Sequence, residues 1–172
     1  LELGGRVMGL CQPMMATYRP HNNALMEWGQ TRGRMRSNKS MIDRRNLKGL
    51  VSELKKGEAV WFAPDQDYGR KGSTFAPFFA VPNAATTNGT YVLSRLSGAS
   101  MLTVTMVRKA DRSGYQLYIG KALTDYPAKD EHEAACYINK VIEREIMRAP
   151  EQYLWIHRRF KTRPPGEASL YL

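Results

Sequence analysis

DRRNLKGLVSELKKGEAVWFA, residues 43–63, is the stretch that decides the fold class. Leu47, Leu50, Val51 and Leu54 recur at i, i+3, i+4 and i+7, the spacing of one face of an α-helix. Asp43 is expected to cap its start, and Gly57 stops it. Lys48, Lys55 and Lys56 fall off that stripe and read as a solvated face. Ala59-Val60-Trp61-Phe62-Ala63 follows at once, a short apolar run bounded by turn formers, which is the pattern of a buried strand.

The same alternation continues on either side. Upstream, Leu3 to Leu10 reads as a short helix weakened by Gly4, Gly5 and Gly9, and Met14 to Tyr18 as a buried strand ended by Arg19-Pro20. Asn22 or Asn23 then caps a helix through Leu25, Met26 and Trp28 towards Met35. Downstream, Phe75 to Val81 is apolar, and Asn88 to Leu96 reads as a helix. Met101 to Val107 and Tyr115 to Ile119 alternate around Asp111-Arg112-Ser113-Gly114, which predicts a hairpin. Glu131 to Arg148 is an amphipathic helix with Ala135, Ile138, Ile142 and Ile146 on its stripe. Ala149-Pro150-Glu151 is expected to restart a second helix carrying Tyr153, Leu154 and Trp155, and 158–172 to form an extended tail. Strands alternating with helices give an α/β fold, a mixed central sheet flanked by helices. In such folds the loops after the strands carry chemistry, which directs attention to the segment after Ala63.

At 172 residues, 42% hydrophobic and 10% aromatic, the chain fits one ordinary globular domain and is no disordered segment. Lys and Arg number 26 against 16 acids, a net charge of +10, with pI ≈ 9.8 and a mean hydropathy of −0.49. That excess favours an anionic partner: nucleic acid, a phosphate-bearing ligand, an acidic protein or an anionic membrane. No apolar run reaches the roughly 20 residues that cross a bilayer. Cys11 and Cys136 stand far apart with no CxxC, and read as two small buried hydrophobes rather than a disulfide or a zinc site.

Three clusters bear on chemistry. Pro64-Asp65-Gln66-Asp67-Tyr68-Gly69-Arg70-Lys71-Gly72-Ser73 is either a solvated turn or a reactive loop at the end of a strand. Arg32, Arg34, Arg36, Lys39, Arg44 and Arg45 form either a solvated basic surface or a bidentate phosphate grip. Arg144, Arg148, His157, Arg158, Arg159, Lys161 and Arg163 are interleaved with Tyr153, Trp155 and Phe160. That interleaving fits single-stranded nucleic acid, and equally an amphipathic helix on a core or membrane. No HExxH, GxGxxG or GxxxxGK[ST] occurs.

LELGGRVMG (1–9), QPMMATYRPHNN (12–23), RGRMRSNKSMIDR (32–44), GEAVWFAPDQDYG (57–69), FFAVPNAATTNGTYVLSRLSGA (78–99) and RAPEQYLWIHRRFKTRP (148–164) together resemble the late acyltransferases of lipid A biosynthesis. Within that family the wording is most similar to the palmitoleoyl type, with the lauroyl type next. The resemblance implies a glycerol-phosphate-acyltransferase-like fold, with residues 1–172 as the C-terminal part of a single acyltransferase domain. It implies transfer of a fatty acyl chain from acyl carrier protein to Kdo2-lipid IVA at the cytoplasmic face of the bacterial inner membrane, with no metal or other cofactor. An anionic membrane surface is then an expected partner and nucleic acid is not. A basic nucleic-acid-binding module and a non-catalytic lipid-binding remnant are the competing classes.

The family signature is His-x4-Asp/Glu, and Glu2 resembles its acidic member. Such a pair is a base and its orienter: imidazole takes a hydroxyl proton while the carboxylate fixes its tautomer. Five residues on a helix turn through about 500°, so the motif requires a bend from loop into helix ahead of Leu3–Leu10. His21, His132 and His157 have Met26, Tyr137 and Thr162 five residues on, and none completes the motif. The chain opens at Leu1 with neither an initiator Met nor a targeting segment, so it is expected to be part of a longer protein and inactive by itself. Arg34 resembles the family arginine that holds an anionic part of a substrate, and Asp65 its loop carboxylate near the active centre. Arg36 and Asp67 are their neighbours and the next candidates.

Overall fold

The computed structural model describes residues 2–172, with side chains from Leu3 onward. Two compact units divide at Ala63 and Pro64: residues up to Ala63 with Leu96–Ala99, and Pro64–Arg95 with Ser100–Leu172.

The first unit alternates helix and strand: α1 (Glu2–Cys11), β1 (Met15–Tyr18), α2 (Ala24–Arg34), β2 (Ser40–Asp43), α3 (Leu47–Lys55) and β3 (Val60–Trp61). Its sheet runs β2-β1-β3, with both pairings parallel. Parallel neighbours need a crossover, and α2 and α3 supply the two. Met15 stands opposite both Ser40 and Val60, so the three strands share one register. Asn23 caps α2 by accepting from the Leu25 and Met26 amides at 3.0 and 3.1 Å. The cap of α3 is Asn46, which accepts from Gly49 at 3.0 Å, and not Asp43 as expected. Asp43 completes β2, and its carboxylate takes the Arg45 amide and guanidinium. Asp43 is taken up as the last residue of the strand, and the cap falls to Asn46, three residues on.

Met8, Met14, Ala16 and Leu50 are the buried hydrophobic residues of this unit, and Ser37 is buried as well. Gly9 is required by space: a Cβ there would lie 2.3 Å from the Ser37 carbonyl oxygen. α1 is therefore in backbone contact with the turn that follows α2. Gly9→Ala is expected to lower the stability of the full protein by about 1–3 kcal/mol, because backbone on backbone cannot yield as a side chain would. Urea unfolding checks this, and a change within error would contradict the close approach.

The second unit holds the hairpin β4 (Ser73–Phe78) and β5 (Val81–Thr87), helix α4 (Gly89–Ser97) as far as Arg95, the hairpin β6 (Val104–Arg108) and β7 (Tyr115–Ile119), and α5 (Glu131–Ile146). Phe78, Ala84 and Ile146 form its core, flanked by Val81, Ile142, Tyr153 and Phe160. The β6–β7 hairpin is the expected one, with Arg112 left-handed at φ 61 and Gly114 at φ 151. The β4–β5 hairpin turns instead on Phe79, at φ 49, whose amide donates to the Glu143 carboxylate at 2.6 Å.

The fold is α/β as expected, with parallel and antiparallel pairings both present. They are divided among three sheets rather than joined in one. The expected second helix after Pro150 is two 3₁₀ turns, Pro150–Gln152 and Trp155–His157. Tyr153 between them is extended, and Arg158 closes the second in the left-handed region. No helix among the described residues is long and apolar enough to cross a membrane.

Candidate active site

Glu2 opens α1, and its side chain lies outside the described residues. Further along the first unit, the turn after α2 carries Arg34 and Arg36. Arg34 ends the helix, half-buried, and its carbonyl accepts from the Ser37 amide at 3.2 Å, the Asn38 amide at 3.1 Å and Asn38 Nδ2 at 2.9 Å. Three donors on one carbonyl fix the end of α2 and hence the Arg34 backbone. Arg36 is exposed in the turn itself. Ser37, next in the chain, is the residue against which Gly9 of α1 is packed. The basic turn and the helix that begins at Glu2 are thus joined within one unit.

Asp65 and Asp67 stand on one loop of the second unit, and residues 153–163 clamp that loop. Tyr153 Oη donates to the Asp65 carbonyl at 3.1 Å. The Asp67 amide donates to His157 Nε2 at 3.2 Å. The Asp67 carboxylate, 3% exposed, accepts from the Thr162 amide and hydroxyl and from the Gly69 amide, each at 2.8 Å. Arg70 donates to the Arg163 carbonyl at 2.9 Å. Asp67 is thereby the post to which the loop is tied, and the Asp65 carboxyl is carried beside it.

Beneath the clamp lies Arg159, 1% exposed. Its guanidinium donates to the Ala85 carbonyl at 2.7 Å, Thr86 Oγ1 at 3.3 Å and Asn139 Oδ1 at 3.5 Å, and lies 4.7 Å over the Phe78 ring. Asn139, fully buried on α5, donates in turn to the Pro77 carbonyl and to Thr86, both at 2.8 Å. One buried polar network thus ties the β4–β5 hairpin, α5 and the C-terminal segment together.

These surroundings set the protonation states. Burial pushes the Asp65 carboxyl above the usual range, with His157 and Arg159 opposing it. Burial lowers His157 below 6.5, helped by Lys161 and Arg159 and opposed by Asp65 and Asp67. Its Nε2 accepts the Asp67 N–H, so the neutral ring carries its proton on Nδ1. Burial raises Tyr153 too, with Asp65 adding to it.

A neutral, half-buried imidazole has a pH consequence. The unfolded chain takes up the His157 proton near pH 6.5 while the folded chain resists it to lower pH, so stability falls as pH drops from 6.5 through the folded value. The raised Asp65 works with the opposite sign, penalising the fold as pH rises through its folded value. His157→Gln keeps an acceptor for the Asp67 amide and cannot titrate. The difference in urea midpoint between the two proteins is expected to shrink as pH falls below 6.5, and a pH-independent difference would contradict a neutral ring.

Part of the aromatic-basic interleaving of the C-terminal cluster turns inward, while Trp155, Arg144, Arg158 and Lys161 stay exposed. Arg159 is buried, Tyr153 and Phe160 pack on the core, and Arg163 bonds the Asn83 carbonyl and Glu167. Arg148 pairs with Glu145 and lies over Tyr118. The signal was present in the letters of RRFKTRP, but Ala85, Thr86, Asn83 and Asp67, which bond Arg159, Arg163 and Thr162, lie 73 to 95 residues away. Of the two cysteines, Cys136 is half-buried and Cys11 is exposed, against the expectation of a buried pair.

Residues 1–162 match the family described as bacterial lipid A biosynthesis acyltransferases. The chain belongs to that family. It is 81% identical, over its whole length, to the lipid A biosynthesis palmitoleoyltransferase of Escherichia coli K12, of which it covers 56%. It is 53% identical to the lauroyltransferase of the same organism, with 99% of this chain and 56% of that protein aligned. The myristoyltransferase is 26% identical, with 93% of this chain and 50% of that protein aligned. The chain spans about half the length of the curated relatives it matches. The order of identities agrees with the resemblance to the palmitoleoyl type first and the lauroyl type next.

Proposed function

We propose that the protein containing these residues transfers a palmitoleoyl or lauroyl chain from acyl carrier protein to a hydroxyl of Kdo2-lipid IVA. An imidazole five residues ahead of Glu2 removes the proton from the acceptor hydroxyl, and the resulting alkoxide attacks the thioester carbonyl. The tetrahedral intermediate expels the carrier thiolate, which takes the proton back from the imidazolium. Atoms and charges balance without a cofactor. Glu2 holds the ring in the productive tautomer and stabilises its charged form.

The observation that carries this reading is the Gly9–Ser37 contact, which packs the helix beginning at Glu2 against the Arg34-Met35-Arg36 turn. Arg34 and Arg36 hold phosphate or carboxylate of the acceptor. Asp65 offers its raised carboxyl to a substrate hydroxyl, and Asp67 acts through the loop that carries it. A basic chain suits an acidic carrier, a phosphorylated acceptor and the anionic cytoplasmic face of the inner membrane. The 172 residues alone, lacking a His five before an acid, are expected not to transfer.

The test is mass spectrometry of Kdo2-lipid IVA incubated with the full-length protein and carrier thioesters of several chain lengths. The account expects one added acyl chain, and none with the 172-residue piece. Transfer from free fatty acid or coenzyme A alone would overturn the donor assignment.

A further inference from the structure

A helix on a protein surface ordinarily turns its apolar side inward. α2 does the reverse. At about 100° per residue, Leu25, Trp28 and Arg32 share one face, and Glu27, Gln30, Thr31 and Arg34 share the opposite one. Leu25 is 73% exposed and Trp28 61%, with Met35 at 43% just past the end. No residue of α2 is buried, and its half-buried side is the polar one. Glu27, the helix's one acid, is among those inward residues, accepting from the His21 amide at 2.7 Å and from Thr31 at 3.2 Å. Among the described residues of α2, the outward face is left with Arg32 and no carboxylate. Arg32 lies 5.5 Å over the Trp28 ring, so indole and guanidinium form one amphipathic block.

We propose that this face of α2 rests in the headgroup layer of an anionic phospholipid surface. Indole and guanidinium both prefer that layer, where the ring meets acyl chains and the cation meets phosphate. Leu25 reaches the acyl boundary, and Arg32 on the same face meets the lipid phosphates. Charge selects the occupant. The outward face is cationic on a chain of net charge +10, so a second copy would bring cation against cation. This deepens the proposal of a membrane-borne acceptor and rests on it, but it is tested without transfer.

The experiment uses the full-length protein, its native cysteines replaced by Ser, with an environment-sensitive fluorophore on Leu25→Cys, or on Lys55→Cys as reference. Phosphatidylglycerol-containing vesicles are expected to shift the Leu25 label to the blue and expose it to quenching by lipids brominated near the headgroup. The shift is expected to be small with pure phosphatidylcholine, lost with Arg32→Glu or Trp28→Ser, and weak at Lys55. A label already blue-shifted without lipid would mean that the rest of the protein covers the face, and would overturn the proposal. So would a shift that follows protein concentration, or one equal for the two lipids or the two labels. Transfer to detergent-dispersed acceptor is read in parallel, and Trp28→Ser is expected to retain it. Intact transfer with no vesicle response sinks the docking surface alone, whereas absent transfer in the unsubstituted protein sinks the function.

Discussion

Glu2→Gln in the full-length protein is expected to lower kcat for acyl transfer by about three to four powers of ten, with KM and thermal stability close to wild type. The substitution keeps the shape of the side chain and removes its charge. An amide offers the imidazole an oxygen or an NH₂ group and fixes neither tautomer. It also fails to stabilise the imidazolium that exists only while the proton is off the acceptor. The loss therefore falls on the transition state rather than on binding. Glu2 stands at the first position of α1, where a carboxylate is also favoured by the helix dipole, so a modest stability change accompanies the kinetic one. Steady-state transfer with acyl carrier protein thioester measures both parameters. A loss under about tenfold would remove Glu2 from the proton-handling couple.

Arg159→Ala is expected to destabilise the protein by about 3–5 kcal/mol. The substitution strips donors from the Ala85 carbonyl, Thr86 and Asn139, all of them buried, and leaves a void against the Phe78 ring. Unsatisfied buried acceptors and the cavity both contribute. Arg159→Lys keeps the charge but not the planar fork, and is expected to recover part of the loss. Guanidinium chloride unfolding measures it, and a change under about 1 kcal/mol for the alanine variant would show that the network relaxes around the gap.

What could be read from the letters follows the range of the interactions. Asn23, the β6–β7 turn and the stripe of α5 depend on residues within a few positions, and each was legible. The β4–β5 hairpin was not, because Phe79-Ala80 carries no turn chemistry of its own. Its left-handed Phe79 is held by Glu143, 64 residues away. The helix expected after Pro150 failed for a similar reason. Tyr153 makes a bond to Asp65, 88 residues distant, in place of a further helical turn. At the candidate site, the acidic loop stood out by its density, but the letters did not say that Asp67 anchors it through Thr162. α2 shows the limit of periodicity: the spacing predicts a helix but carries no sign for which face turns inward, and Glu27 decides it by bonding back to His21.

The central claim is that the Glu2 carboxylate holds the imidazole that moves the proton. The pH dependence of kcat/KM for the full-length protein and its Glu2→Gln variant tests it most directly. A carboxylate partner raises the imidazole pKa, and only the neutral ring accepts the proton, so the acidic limb of the wild-type profile sits at higher pH. Removing the charge is expected to shift that limb down by about one pH unit or more, along with the loss of rate. Two profiles that superimpose after scaling would contradict it.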